Sequence, residues 1–288
     1  MHVRKRLRDT STLGTILMLS LLATPALAQW IKVPELVVPR TSDGKPNLAG
    51  PAPRLPDGRP DLTGIWRPND NTFVRDIAAH LKPEDVPYQP WAKALFDARK
   101  DGSYSNEDPD AHCLPQGVPK INSVQYPWKL IQTPNSIVII YETFNYWRQI
   151  FTDGREMDPD ANPTWMGYST GHWEGDTLVV HTRGFNGVTW LDQLGRPTTD
   201  RLHVIERFRR PDFGRLIMDI TIDDPGAYTK PWTVSQQVYL RPEWEPFEFI
   251  CNENNRDLQR MPGTHVVVPN LERARALFPS QTPSPGKR

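Results

Sequence analysis

From Trp128 to Asn252 the chain reads as short strand-forming runs separated by Pro, Gly and Asp turns, and this punctuation constrains its fold more than any other feature. The runs fall near Trp128–Thr133, Ser136–Glu142, Tyr146–Phe151, Thr164–Trp173, Thr177–Arg183, Leu202–Arg209, Arg215–Ile222, Trp232–Arg241 and Phe247–Asn252. Pro134, Pro159, Pro163, Pro197, Pro211, Pro225, Pro231, Pro242 and Pro246 lie between the runs or at their ends, where a missing N–H breaks no ladder bond. Glu174-Gly175-Asp176 and Pro211-Asp212-Phe213-Gly214 read as hairpin turns. Eight or nine antiparallel strands with short connections predict a mainly β fold, an up-and-down barrel or a sandwich, rather than an α/β fold.

Alternation supports half-buried strands. Leu216, Met218, Ile220 and Ile222 oppose Asp219, Thr221 and Asp223, and Trp232, Val234, Val238 and Leu240 oppose Thr233, Ser235, Gln237 and Arg241. Ile137 to Tyr141 is apolar on both faces, so its outer side needs a cover. Short helices expected over Asn71–Leu81 and Trp91–Lys100, together with a Cys113–Cys251 disulfide, are natural covers, the second helix with Trp91, Ala94, Leu95 and Ala98 on one face. Upstream, Pro34, Pro39, Pro46, Pro51, Pro53, Pro56 and Pro60 predict an extended arm. It contains a duplication: Asp43-Gly44-Lys45-Pro46-Asn47-Leu48-Ala49-Gly50 is echoed by Asp57-Gly58-Arg59-Pro60-Asp61-Leu62-Thr63-Gly64.

The N-terminus has the form of a cleavable secretory signal. Arg4, Lys5, Arg6 and Arg8 precede an apolar stretch from Leu13 to Ala23, and Ala26-Leu27-Ala28 suits a cut after Ala28. The stretch is shorter than the roughly 20 residues a spanning helix needs, so a periplasmic or secreted protein with no membrane span is expected. Cleavage removes four of the 34 basic and one of the 34 acidic side chains, leaving a slightly acidic chain. Basic pairs such as Arg209-Arg210 sit among acids, which points away from a nucleic-acid partner. Cys113 and Cys251, the two cysteines, are expected to pair in an oxidising compartment.

Gly64-Ile65-Trp66 resembles the Gly-x-Trp that opens the first strand of lipocalin and other calycin barrels. The stretches Asp61-Leu62-Thr63-Gly64-Ile65-Trp66, Gly171-His172-Trp173-Glu174-Gly175-Asp176-Thr177-Leu178-Val179-Val180, Glu206-Arg207-Phe208-Arg209-Arg210 and Asp223-Asp224-Pro225 resemble an uncharacterised family of secreted bacterial proteins, over most of residues 43–260. The resemblance implies a calycin-like barrel and carries no catalytic residue with it. The expected organisation is a signal peptide (1–28), a Pro-rich arm (29–63), a barrel domain with a helical cover (64–260) and a C-terminal tail (261–288).

Several groups are candidates for chemistry. Gly167-Tyr168-Ser169-Thr170-Gly171 matches the Gly-x-Ser-x-Gly of serine hydrolases, but that elbow requires a strand turning into a helix, and here another strand follows. His172, His181 and His203 fall on three expected strands. His172 or His203 could act as a base with Glu206, Asp192 or Glu248 as partner, although His203 and Glu206 are three apart and should face opposite sides of one strand. The histidines lack paired short-spaced ligands, and no metal site is expected. Trp165, Tyr168, Trp173, Trp190 and Trp232, with Arg148, could line a pocket for an apolar or aromatic molecule, or the rings could simply fill a core. The absence of a P-loop and of Gly-x-Gly-x-x-Gly argues against ATP and NAD, and no cofactor is expected. A small-molecule binder is the leading expectation, and a cofactor-free acid/base enzyme of the same fold is the alternative.

Overall fold

The computed structural model describes residues 37–253, 255–263 and 266–283. The expected signal peptide and cleavage site lie outside these residues. Nine strands close into a barrel in chain order: β1 (Gly64–Arg67), β2 (Trp128–Gln132), β3 (Ser136–Tyr141), β4 (Trp147–Phe151), β5 (Tyr168–Glu174), β6 (Thr177–Arg183), β7 (His203–Arg209), β8 (Arg215–Asp223) and β9 (Trp232–Leu240). The expected mainly β barrel is therefore present. A ring with an odd number of strands cannot alternate direction throughout, and one neighbouring pair has to run parallel. That pair is β4–β5, with Ile150 opposite Ser169 and Phe151 opposite Thr170. Parallel neighbours need a long crossover, and residues 152–167 supply it.

The expected ninth strand, Phe247–Asn252, does not form. Pro242 and Pro246 break up the segment after β9. It becomes a strap outside the wall, with Phe247 N–H donating to Glu142 Oε2 (2.9 Å). The ring is closed instead by four-residue β1, which pairs with β2 through Gly64–Leu130 and with β9 through Trp66–Leu240. This is the Gly-Ile-Trp segment. Trp66 is buried, its Nε1–H donates to Leu62 O (3.0 Å), and the Arg210 guanidinium lies 4.9 Å from the ring centroid. Arg210 also donates to Asp61 O (2.5 Å) and Phe213 O (2.6 Å), tying the arm to the β7–β8 hairpin.

The duplication in the arm is structural as well as sequential. In each copy a turn at a positive-φ glycine, Gly44 or Gly58, is closed by an upstream arginine that donates to its carbonyl: Arg40 to Gly44 O (2.8 Å) and Arg54 to Gly58 O (2.7 Å). Isolated antiparallel bridges Arg40–Pro46 and Arg54–Pro60 repeat the geometry. The copies differ in burial. Leu62 is 0% exposed under the barrel wall, whereas Leu48 is 37% exposed on the β7–β8 hairpin, where Leu48 O accepts from Gly214 N–H (2.8 Å).

Helix α1 (Thr72–Arg75) is far shorter than the expected Asn71–Leu81, because Asp76 is extended and its carboxylate accepts from Ala78 N–H two residues ahead (3.0 Å). Helix α2 (Pro90–Arg99) forms as expected and buries Trp91, Ala92 and Leu95. These helices sit over the loops at one end of the barrel: Ile77 N–H reaches Asp192 and Trp91 Nε1–H reaches Gly226 O. They do not cover the outer face of β3, where Ile140 is exposed beside Trp147, its cross-strand partner on β4. Helix α3 (Asn270–Leu277) locks the same end, since buried Asn270 accepts from Arg99 and donates to the Thr189 and Thr198 carbonyls. The Cys113–Cys251 disulfide forms and ties the cover to the strap across 138 residues of sequence.

The two leucines of the duplication provide a matched test. Leu62→Ala should lower unfolding stability in urea by about 2–5 kcal/mol, and Leu48→Ala by less than about 1 kcal/mol. Equal losses would contradict the burial difference.

Candidate functional site

The half of the barrel interior that faces the cover is polar and filled by protein. A short 3₁₀ turn, Lys120–Ser123, enters the mouth with all four residues buried. Its Asn122 donates to Glu206 Oε1 (2.7 Å) and accepts from the Tyr141 hydroxyl (2.7 Å), while Ser123 donates to Gln236 (2.8 Å). Across the mouth Arg148 donates to Glu206 Oε2 (2.5 Å), Thr182 Oγ1 (2.8 Å) and Ser169 Oγ (3.0 Å). Burial opposes the Arg148 charge, but the Glu206 carboxylate and the Tyr141 phenol outweigh it and raise the arginine pKa. Burial pushes the Tyr141 phenol up. Ser169 therefore lies inside strand β5 as a hydrogen-bond partner of Arg148, without the strand-to-helix elbow a serine nucleophile requires.

The other candidates for proton transfer are dispersed. His172, His181 and His203 stand on the outside of β5, β6 and β7, with ring centroids 5.8 Å and 5.2 Å apart in succession. Glu206 points the opposite way from His203, as strand parity requires. His172 instead meets exposed Glu174 (3.1 Å), and His203 Nδ1 lies 3.9 Å from Asp223. Asp192 is fully buried, ion-paired with Arg196 and bonded to Ile77 N–H (3.1 Å). Glu248 is exposed on the strap. Among the described residues, no cluster of three or more His, Cys, Asp or Glu is arranged to hold a metal ion.

The aromatic candidates also divide. Trp190 is buried beneath the Arg99 guanidinium (4.2 Å), and Trp232 is buried against Tyr228 (5.4 Å). Trp165 is half-buried, Tyr168 stacks on Phe151 (5.2 Å), and half-buried Trp173 faces Arg59 (5.8 Å).

A cleft that could take a ligand opens beside the disulfide, enclosing about 450 Å³ between the cover, the β3–β4 turn and the strap. One wall is a row of three stacked rings: Phe249 lies 5.0 Å from Tyr126 and 5.6 Å from Phe144. Local structure sets this row. Phe144 and Asn145 both take left-handed backbone conformations (φ 58° and 57°), which non-glycine residues seldom adopt. The Asn145 amide then pairs with the Phe249 backbone, donating to its carbonyl and accepting from its N–H, both at 3.2 Å. Cys251, two residues on, anchors the strap to Cys113. The polar lining includes Asp110, Gln116, Thr143 and Gln193. Tyr126, Phe144, Phe249, Asp110 and Gln116 were not among the sequence candidates. The one sequence signal for this assembly is the cysteine pairing, which joins segments carrying aromatic residues on both sides.

Two outcomes follow. Glu206→Gln or Arg148→Met should each cost about 3–5 kcal/mol, because each strands a buried partner charge or its bonds. The double variant should lose much less than the sum in urea unfolding; additive losses would mean the two groups do not act together. His203 has its pKa pulled down to about 4, first by burial and then by Arg183 and His181, with Asp223 opposing. The unfolded chain takes up this proton near 6.5 and the folded one near 4, so this contribution is complete above pH 6.5 and is lost as pH falls toward 4. His203→Gln should flatten the fall of the urea midpoint across that window, and an unaltered slope would reject the assignment.

Comparison with known proteins returned no matching family model and no matching curated protein. Among solved structures, a crystal structure of a mutant of the fluorescent protein UnaG is similar to this chain, with a TM-score of 0.29 and 13% sequence identity, covering 62% of this chain and 95% of that one.

Proposed function

We propose that the mature chain is a periplasmic or secreted protein that binds a small, partly aromatic ligand in the cleft beside the Cys113–Cys251 disulfide. The observation that carries this reading is a concave space of about 450 Å³ with an aromatic wall on one side and polar residues over much of the rest. A volume of this order is usual for a small-molecule site. The compartment is supported by the signal-like N-terminus and by the disulfide. Among the described residues, no helix is long and apolar enough to cross a membrane. The barrel interior is a poorer candidate, because the Lys120–Ser123 turn and the Arg148–Glu206 pair occupy its mouth.

Native mass spectrometry of the protein isolated from its own compartment tests the reading. A retained organic molecule is expected, with occupancy reduced at least tenfold in Tyr126→Ala and Phe249→Ala, since an aromatic contact and its buried area are lost. Retention at full occupancy by both variants would place the ligand elsewhere.

A further inference from the structure

Exposed large apolar side chains gather where the strap crosses the outer wall of the barrel. Trp147 is 65% exposed, Phe247 76%, Ile250 46%, Trp244 45% and Ile140 40%. Backbone contacts bring them onto one surface. Ile140 and Trp147 are cross-strand partners on β3 and β4, and the strap lies along the turn joining those strands, through Phe247 N–H to Glu142 and the Phe249 backbone to Asn145. Trp244 begins the strap and Ile250 continues it. An aromatic side chain carries roughly 150–250 Å², so these exposures leave on the order of 500 Å² of apolar surface facing water. A standard interface takes about 800 Å² from each partner, and in homodimers about 65% of it is apolar, again about 500 Å². The patch therefore has the area of one side of a dimer.

Charge along the strap is divided between its ends. At the start, the Arg67 and Arg241 guanidinium groups each lie 5.4 Å from the Trp244 ring centroid, and Arg40 reaches Glu243 (3.4 Å). Three cations there meet one carboxylate. At the far end, Glu248 and Glu253 are exposed and make no ion pair among the described residues, Glu142 stands on the adjoining turn, and Lys129 lies across from Ile140. Three carboxylates there meet one cation. Glu245 sits between the two ends, and Arg256 and Asp257, beyond Cys251, offset each other. A surface that is basic at one end and acidic at the other complements a copy of itself turned end for end, each acidic end meeting the partner's basic end. A partner of one sign would match half of it, and an anionic lipid surface would be repelled by the carboxylates.

We infer that the strap and the outer face of β3 and β4 form the two-fold symmetric interface of a homodimer, with Trp147 and Phe247 in its apolar centre and the straps of the two copies running antiparallel. The second copy supplies the cover that the two-sided apolar run from Ile137 to Tyr141 calls for and that the helices do not provide at Ile140. The interface does not depend on the cleft holding a ligand.

Sedimentation analysis of the mature protein tests this. A dimer is expected, with a dissociation constant at or below about 10 μM. Trp147→Glu and Phe247→Glu should each weaken it at least about tenfold, with melting curves recorded to show that both variants fold. The end-for-end arrangement makes a sharper demand. Glu248→Lys with Glu253→Lys makes both ends basic, and Arg241→Glu makes the basic end acidic, so each variant alone should dimerise more weakly while an equimolar mixture of the two recovers association. A monomer throughout the accessible concentration range would overturn the inference, as would a dimer that keeps its affinity in both Trp147→Glu and Phe247→Glu. Failure of the mixture to recover association would reject the antiparallel interface. A monomer that co-sediments with phosphatidylcholine vesicles would assign the exposed rings to a membrane surface instead.

Discussion

Closure of an odd ring governs this structure. Nine strands in sequential order make a wall without free edges only if one pair runs parallel, and the smallest strand, β1, completes the ring between β2 and β9. Four residues supply few ladder bonds, so the closure depends on side chains. Trp66 is buried, Arg210 stacks on it, and the same guanidinium holds the carbonyls of Asp61 and Phe213. The second copy of the arm repeat leads directly into β1 and buries Leu62 beneath it, while the first copy has no strand to deliver and keeps Leu48 partly exposed.

Closure also creates an end that must be capped, and the cap decides where a ligand can go. The long insertion between β1 and β2 sends Asn122 and Ser123 into the mouth, where they bond to Glu206, Tyr141 and Gln236 Oε1. A buried Arg–Glu pair is supported in such a place because neighbouring hydroxyls and an amide add hydrogen bonds to it, although Arg148 Nη1 has no partner among the described residues. Much of the polar content inside the barrel is engaged in holding the cap. Recognition moves to the rim, where cap, turn and strap meet.

The catalytic reading of the sequence depended on histidines and carboxylates converging. Alternation along β7 already separates His203 from Glu206 across the wall, and that separation was legible from residue spacing alone. The stacking of His172, His181 and His203 on one outer face was not, because it depends on the register of β5 against β6 and β6 against β7. The cleft residues were hidden for a stronger reason. Gln116, Tyr126, Phe144 and Phe249 lie in turns and irregular segments with no periodic pattern, and contacts between distant segments, among them the disulfide across 138 residues and the Asn145–Phe249 and Glu142–Phe247 hydrogen bonds, bring them together.

By itself the sequence determined the strand inventory from Trp128 to Leu240, the cysteine pairing and the turn chemistry of the duplicated arm. Each is local or nearly so: period-two burial, proline's missing donor and the freedom of glycine act within a few residues. Tertiary structure decided which segment closes the ring, why one pair is parallel, and that Phe247–Asn252 becomes a strap. It also decided that the mouth is plugged and that Gln116 and Asp110 line the same cleft as the aromatic row. These features follow from ring closure and from pairing of distant polar groups, and both depend on the whole set of strands being in place.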